Sequence, residues 1–294
     1  MIELRVAMTP ADLETWAELK SRVVPNEPVT ADQLATTDEP GRLLLLATRE
    51  GAIAGCGIAA PSNFGGRAFI AARVLPEHRR RGVGSELVRA LADHGRALGR
   101  DGVNGFVDEG DEASLAFARS YGLEEVDYQL EQVRVVGVEP EPVVPDGISL
   151  APLDGRREEL LEAAWPVALA GYEDLPLPGP VTYPFATWLR EEATRPEGSF
   201  VAFEGEEIVG YAGLLEHGNG SAIAEHGLTV VRRDRRRRGI ARALKLAQLR
   251  WAAAAGVVEL VTWTQKGNEG MQALNASLGY ENRSRVLTMQ GPLP

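Results

Sequence analysis

Two short stretches of this chain repeat each other at long range, and no other feature constrains the fold as much. Arg79-Arg80-Arg81-Gly82-Val83-Gly84 aligns with Arg236-Arg237-Arg238-Gly239-Ile240-Ala241 at an offset of 157 residues (236 − 79). The same offset carries Asp111 to Asn268 and Gly122-Leu123 to Gly279-Tyr280, and an offset of 155 carries Gly55 to Gly210. Solenoid repeats run roughly 20–50 residues, so a period this long means a duplicated domain. The 294 residues suit two domains of roughly 100–200 residues each. We place them at 1–137 and 148–294, joined by VEPEPVVPDG at 138–147, a spacer stiffened by three prolines.

Each copy opens on a strand and closes on a helix. In the second, Leu228, Val230 and Val231 with Thr229 between them read as a strand, while Ala243, Leu244, Leu246, Ala247, Leu249 and Trp251 form the apolar stripe of a helix. Between them lies a basic turn holding Gly239. The first N–H groups of a helix have no internal partner and its dipole favours an anion there, so strand, turn and helix start predict a phosphate site. Strands at Phe69 to Leu75 and Ile223 to Val231 lead into the turns, and each half ends helix–strand–helix–strand. Thr9-Pro10 signals a helix start, Glu50-Gly51 a hairpin, and Gly99 and Gly256 helix stops. The fold class expected is mixed α/β.

The net charge of −11 argues against a general nucleic-acid or membrane binder, whose electrostatics need a basic face. The lone Cys56 allows no internal disulfide or thiolate metal site, and the four histidines show no ligand-pair spacing, so no metal is expected. Without a basic-then-apolar leader or an apolar run of about 20 residues, the expectation is a cytoplasmic protein.

Val74, Pro76, Glu77, Arg79, Gly82 and Gly84 spell V-x-P-E-x-R-x-x-G-x-G, which resembles the acetyl-CoA pyrophosphate motif of the GNAT N-acetyltransferase superfamily. Val231, Arg236, Gly239 and Ala241 are a second copy without the proline. Asn268, eleven residues before Gly279-Tyr280, is similar to that family's second cofactor motif. The resemblance spans the chain as two tandem domains. It implies for each a mixed sheet flanked by helices and splayed at its middle, with the pantetheine arm of acetyl-CoA in the gap. It further implies N-acetyl transfer to a small-molecule amine. Cofactor contacts would come from Val74 and Arg79 to Gly84 in one copy, and from Thr229, Val230, Val231, Arg236 to Ala241 and Asn268 in the other.

Amide formation needs a neutral amine, although an alkylammonium titrates near ~10, so a proton acceptor must stand close. Glu225 and His226 qualify; their counterparts are Ala68 and Phe69, and Thr229 maps to Ala72. This asymmetry assigns the chemistry to the second domain. The Tyr that many family members use as general acid is Asn275 here, Ala118 in the other copy; neither can give up a proton, though Asn275 can hydrogen-bond the sulfur. Tyr121 and Tyr280 read as core. Tyr172, Tyr183, Trp188 and Trp263, with Glu173 and Asp174 in the loop from Tyr172 to Pro184, are candidates for an acceptor pocket. Two other readings stand beside this one. The missing Tyr fits a non-catalytic acyl-CoA-binding protein, and the arginine runs an RNA-associated one, which the acidic charge disfavours.

Overall fold

The computed structural model describes all residues except 26, 38, 63–65, 176–183 and 218–221. It forms two compact units, one of Met1–Tyr128 with Val286–Pro294 and one of Gln129–Arg285.

The first unit begins with β1 (Ile2–Val6), α1 (Pro10–Val23) and α2 (Ala31–Thr36). A capping box between Thr9 and Asp12 starts α1, with Pro10 in its first turn. Then come β2 (Leu43–Arg49), β3 (Ala52–Pro61), β4 (Ala68–Val74), a single 3-10 turn, α3 (Val83–Ala97), β5 (Gly102–Asp108) and α4 (Glu112–Ser120). The sheet runs β1-β2-β3-β4-β5, antiparallel except for β4 and β5. Trp16, Leu19, Leu44, Leu46 and Cys56 make the core on one face, and Leu45, Val83, Leu87 and Leu91 that on the other.

The second unit repeats the order as β7 (Ile148–Pro152), α5 (Arg157–Glu173), α6 (Phe185–Glu191), β8 (Phe200–Glu204), β9 (Glu207–Glu216), β10 (Ile223–Val231), α7 (Ile240–Ala254), β11 (Glu259–Gln265) and α8 (Glu269–Ser277). Its sheet runs β7-β8-β9-β10-β11, and again only the last pair is parallel. Trp188, Tyr211, Leu161 and Val167 fill the α5–α6 face; Val231, Ile240, Leu244, Leu249 and Leu260 fill the α7–α8 face.

The closing strands depart from the simple repeat expected. β6 (Glu124–Val135) pairs with β11 along Gln129–Val135, and β12 (Glu281–Pro292) pairs with β5 along Val286–Pro292. The compact units therefore break inside these two strands rather than at the proline spacer, because ladder pairing and not chain order decides which sheet a strand completes. The spacer belongs to the second unit, where Arg134 makes a bidentate pair with the buried Glu139 at 2.7 and 2.8 Å.

Candidate active site

In both units the central strands part company. β4 and β5 pair only at Ala68–Val103 and Phe69–Asn104, and β10 and β11 only from Ile223–Glu259 to Glu225–Val261. Beyond those pairs the strands diverge toward the basic turns.

The turns have one backbone. Arg80 and Arg237 both take the left-handed region, at φ 59° and 64°, and Gly82 and Gly239 do so at 87° and 86°. The glycines cap α3 and α7, where a side chain would be strained. The Nε of Arg79 donates to the Val74 carbonyl at 3.1 Å, and that of Arg236 to Val231 at 3.0 Å. The first helical bonds run from Glu86 N–H to Gly82 and from Ala243 N–H to Gly239, so the amides of Val83 and Gly84, and of Ile240 and Ala241, precede the helical ladder.

Charge separates them. Asp174 accepts from Arg233 and Arg236, and Glu204 from Arg235 and Arg238. Hydrogen bonds from Arg233, then Arg236, hold the Asp174 carboxyl down at about 2. Glu173 stands 3.5 Å from Arg233. The two acids expected at the acceptor thus serve the second turn. Among the described residues no acid pairs with Arg80, Arg81 or Arg237.

The grooves differ more. β10 carries a bulge, one extra residue between His226 and Thr229 opposite β9, whereas β4 pairs with β3 without a shift. His226 is buried on the α7 side. Gln248 spends its amide N–H groups on the carbonyls of Ala212 and Gly213, so its Oε1 faces His226 Nδ1 at 3.0 Å and the proton sits there. Nε2 then accepts from the Tyr280 hydroxyl. Burial first, then the nearby Lys245 cation, pushes the His226 pKa well down, so the ring is neutral with both nitrogens engaged. Glu225 points to the other face, where its carboxylate lies 3.1 Å from His217 Nδ1. The two proton-acceptor candidates therefore serve opposite sides of the sheet.

Asn275 is fully buried; its amide donates to Gln132 at 2.9 Å and its Oδ1 has no partner. The Thr229 hydroxyl and the Lys245 ammonium are also buried without partners. Asn268 makes no side-chain cap to α8, whereas Asp111 caps α4 through Ser114. Strand, turn and helix start, with unspent polar groups along the gap, fit an acyl-CoA thioester in the second unit. In the first, the matching positions are Ala72, Val88 and Ala118. There Phe117 packs so that a Cβ on Gly84 would lie 3.3 Å from its ring.

Sequence reasoning missed Glu192. This carboxylate, 7% exposed, accepts from Tyr211 at 2.9 Å, from Tyr172 at 3.3 Å and from the bulge amide of Leu228 at 3.4 Å. Glycine at 227 lets it come close, since a Cβ there would meet its Oε2 at 2.6 Å. The signal available was Gly213 and Gly227 on adjoining strands, a mark of close approach. Of the expected acceptor aromatics, Trp188 is core, Tyr172 reaches Glu192, and Trp263 lies on β11 opposite Glu131; Tyr183 falls outside the described residues.

Two splayed mixed sheets, each with an amide-rich turn at a helix start, define a tandem acyl-CoA-type transferase fold. The Acetyltransferase (GNAT) family model matches residues 8–123 and 158–280, and the chain belongs to that family, as an acyltransferase. It is 26% identical to a mycothiol acetyltransferase of Kocuria rhizophila over 92% of both chains, and 28% identical to one of Pseudarthrobacter chlorophenolicus over 75% of this chain and 68% of that one. Among solved structures it resembles a GCN5-related N-acetyltransferase from Sphaerobacter thermophilus (TM-score 0.79, 20% identity, covering 99% and 96%). It also resembles a tandem GNAT protein from the clavulanic acid biosynthesis pathway (TM-score 0.75, 21% identity, covering 100% and 99%). Among the described residues no helix is long and apolar enough to cross a membrane, and no cluster of three or more His, Cys, Asp or Glu is placed to hold a metal.

Proposed function

We propose that the chain is a cytoplasmic N-acetyltransferase that moves the acetyl group of acetyl-CoA to the amine of a small molecule, with the chemistry in the second domain, 148–294. The relatives named mycothiol acetyltransferase support a small-molecule acceptor. The observation that carries the choice of domain is the set of buried, unpartnered polar groups at Thr229, Lys245 and Asn275, against Ala72, Val88 and Ala118 in the other copy.

Acetyl-CoA supplies the activated thioester. The turn amides from Arg236 to Ala241 take its diphosphate at the positive end of α7. Thr229, Val230 and Val231 line the gap and Asn268 closes it. The β10 bulge takes the Leu228 amide out of the ladder, where it donates to Glu192 and can reach a substrate carbonyl only by exchanging that partner. Glu225, on the opposite face, takes the proton of the incoming amine. His226 is a positioning residue that fixes Tyr280, and Asn275, whose amide donates to Gln132, offers its unpartnered Oδ1 as an acceptor for the thiol S–H of the product. Val74 and Arg79 to Gly84 form a second, groove-poor anion site in the first unit.

Calorimetric titration of acetyl-CoA into wild type, Gly82→Glu and Gly239→Glu tests this. Loss of binding in Gly239→Glu alone is the expected result; loss in Gly82→Glu alone would move the cofactor to the first unit. The absence of an acidic side chain at 275 favours a second reading, a non-catalytic acyl-CoA binder. Release of free thiol from acetyl-CoA with a panel of primary amines separates the two, since only a catalyst turns over.

A further inference from the structure

Lys245 is the least expected side chain in the second unit. It sits in the sheet-facing stripe of α7, 1% exposed, at the position that Val88 occupies in the other copy. Its Nζ has no hydrogen-bond partner. The groups that face it are His226 from β10, which is neutral, and the ring of Tyr280 after α8, whose centroid lies 5.3 Å away. Glu139 near Tyr280 has both oxygens committed to Arg134. Among the described residues no carboxylate therefore neutralises the ammonium, and an unpaired buried charge is costly. Valine serves the same packing in the first unit, so core formation does not explain the lysine.

Its place in the groove does. Pairing of β10 with β11 ends at Glu225, so His226, and with it Lys245, stands where the strands begin to part. Asn275, the residue at the usual acid position, has no acidic proton. We propose that Lys245 is the proton donor to the departing thiolate, in place of a tyrosine at 275. This rests on the acetyl-transfer reading above. As the thioester C–S bond breaks, its electron pair stays on sulfur and one Nζ proton passes to it, leaving Lys245 neutral. Glu225 meanwhile holds the proton taken from the amine, so one exchange with water returns both groups to their starting forms. The Tyr280 ring face, held by Gln248 and His226, steadies the ammonium until then.

Burial lowers the Lys245 pKa to about 7, which gives a readout without any ligand. A base with a depressed folded pKa leaves the unfolded chain binding more protons between about 7 and its ordinary value near ~10.4. Wild-type stability measured by denaturant melts should therefore rise with pH across that window relative to Lys245→Met, which should be the more stable protein at pH 6. In turnover with a primary-amine panel, Lys245→Met should bind acetyl-CoA within a few-fold of wild type by calorimetry. It should lose about 100-fold in kcat and lack the wild-type fall in kcat above neutrality. Equal kcat with equal acetyl-CoA binding would overturn the assignment, as would parallel pH–stability curves. Failure of wild type itself to bind acetyl-CoA would overturn the cofactor reading and this one with it, whereas binding with an unchanged kcat in the variant would sink only the lysine.

Discussion

The two arginine turns share a backbone and differ in their surroundings. In the first unit no acid among the described residues pairs with Arg80 or Arg81, and the groove positions are Ala72, Val88 and Ala118; in the second most of the arginines are paired with Asp174, Glu204 or Asp234, and those positions are Thr229, Lys245 and Asn275. Phosphate binding at a helix start draws chiefly on amides and the dipole, which both copies keep. The difference teaches that a phosphate turn survives duplication as a structural element, whereas the polar groups beneath it mark where chemistry is retained.

The largest effect that would test this division comes from Glu225. Replacing it with Gln keeps the shape beside His217 and removes the proposed proton acceptor, while nothing at the cofactor turn changes. We expect kcat to drop about 100-fold with acetyl-CoA affinity unaltered, measured by thiol release and calorimetry. A variant as active as wild type would rule Glu225 out as the proton acceptor. Next in size is Gly227→Ala. The added Cβ would stand 2.6 Å from the Glu192 carboxylate and 3.3 Å from its carbon, so either that side chain leaves its hydrogen bonds or the bulge shifts. Overpacking of this kind costs about 1–3 kcal/mol, read as a lower denaturant midpoint at constant slope.

The fold was largely legible in the sequence because periodicity and caps are local. Thr9-Pro10, Glu50-Gly51 and the glycines closing the helices mark boundaries that the structure keeps. The strand-exchange at β6 and β12 was not, since ladder partners are set by long-range pairing that no local pattern records. The turns were legible for the same local reason. Glu192 and Lys245 were hidden for opposite ones. The first follows a short helix among Arg190, Glu191, Thr194 and Arg195, where one more carboxylate passes for surface charge, and the second hides inside an apolar stripe where a long aliphatic stem passes for packing.

Glu192 supplies a smaller test with a sign opposite to that of Lys245. Burial raises its carboxyl above the ordinary value near ~4.3, against the hydrogen bonds that favour the charge. Between those two values the folded state holds a proton that the unfolded chain has lost, so stability falls as pH rises. Glu192→Gln should remove that slope and equal or exceed wild type at neutral pH. A slope that persists in Glu192→Gln would show that some other group carries it.

Smallest is the effect of Asp174→Asn, which makes the second turn more like the first by freeing Arg233 and Arg236. The pair is partly exposed, so its loss should cost at most about 1 kcal/mol. With the folded carboxyl at about 2, that contribution is present above the unfolded value and disappears as pH falls toward 2. Freed cations should also meet phosphate, so acetyl-CoA affinity should rise a few-fold at low salt, with a steeper loss as salt is added. If affinity and salt slope stay as in wild type, then the amides of residues 237–241 bind the diphosphate without help from Arg233 or Arg236. The paired charges would then serve to hold the turn in shape, and free arginines in the first unit would count for nothing as a sign of tighter binding.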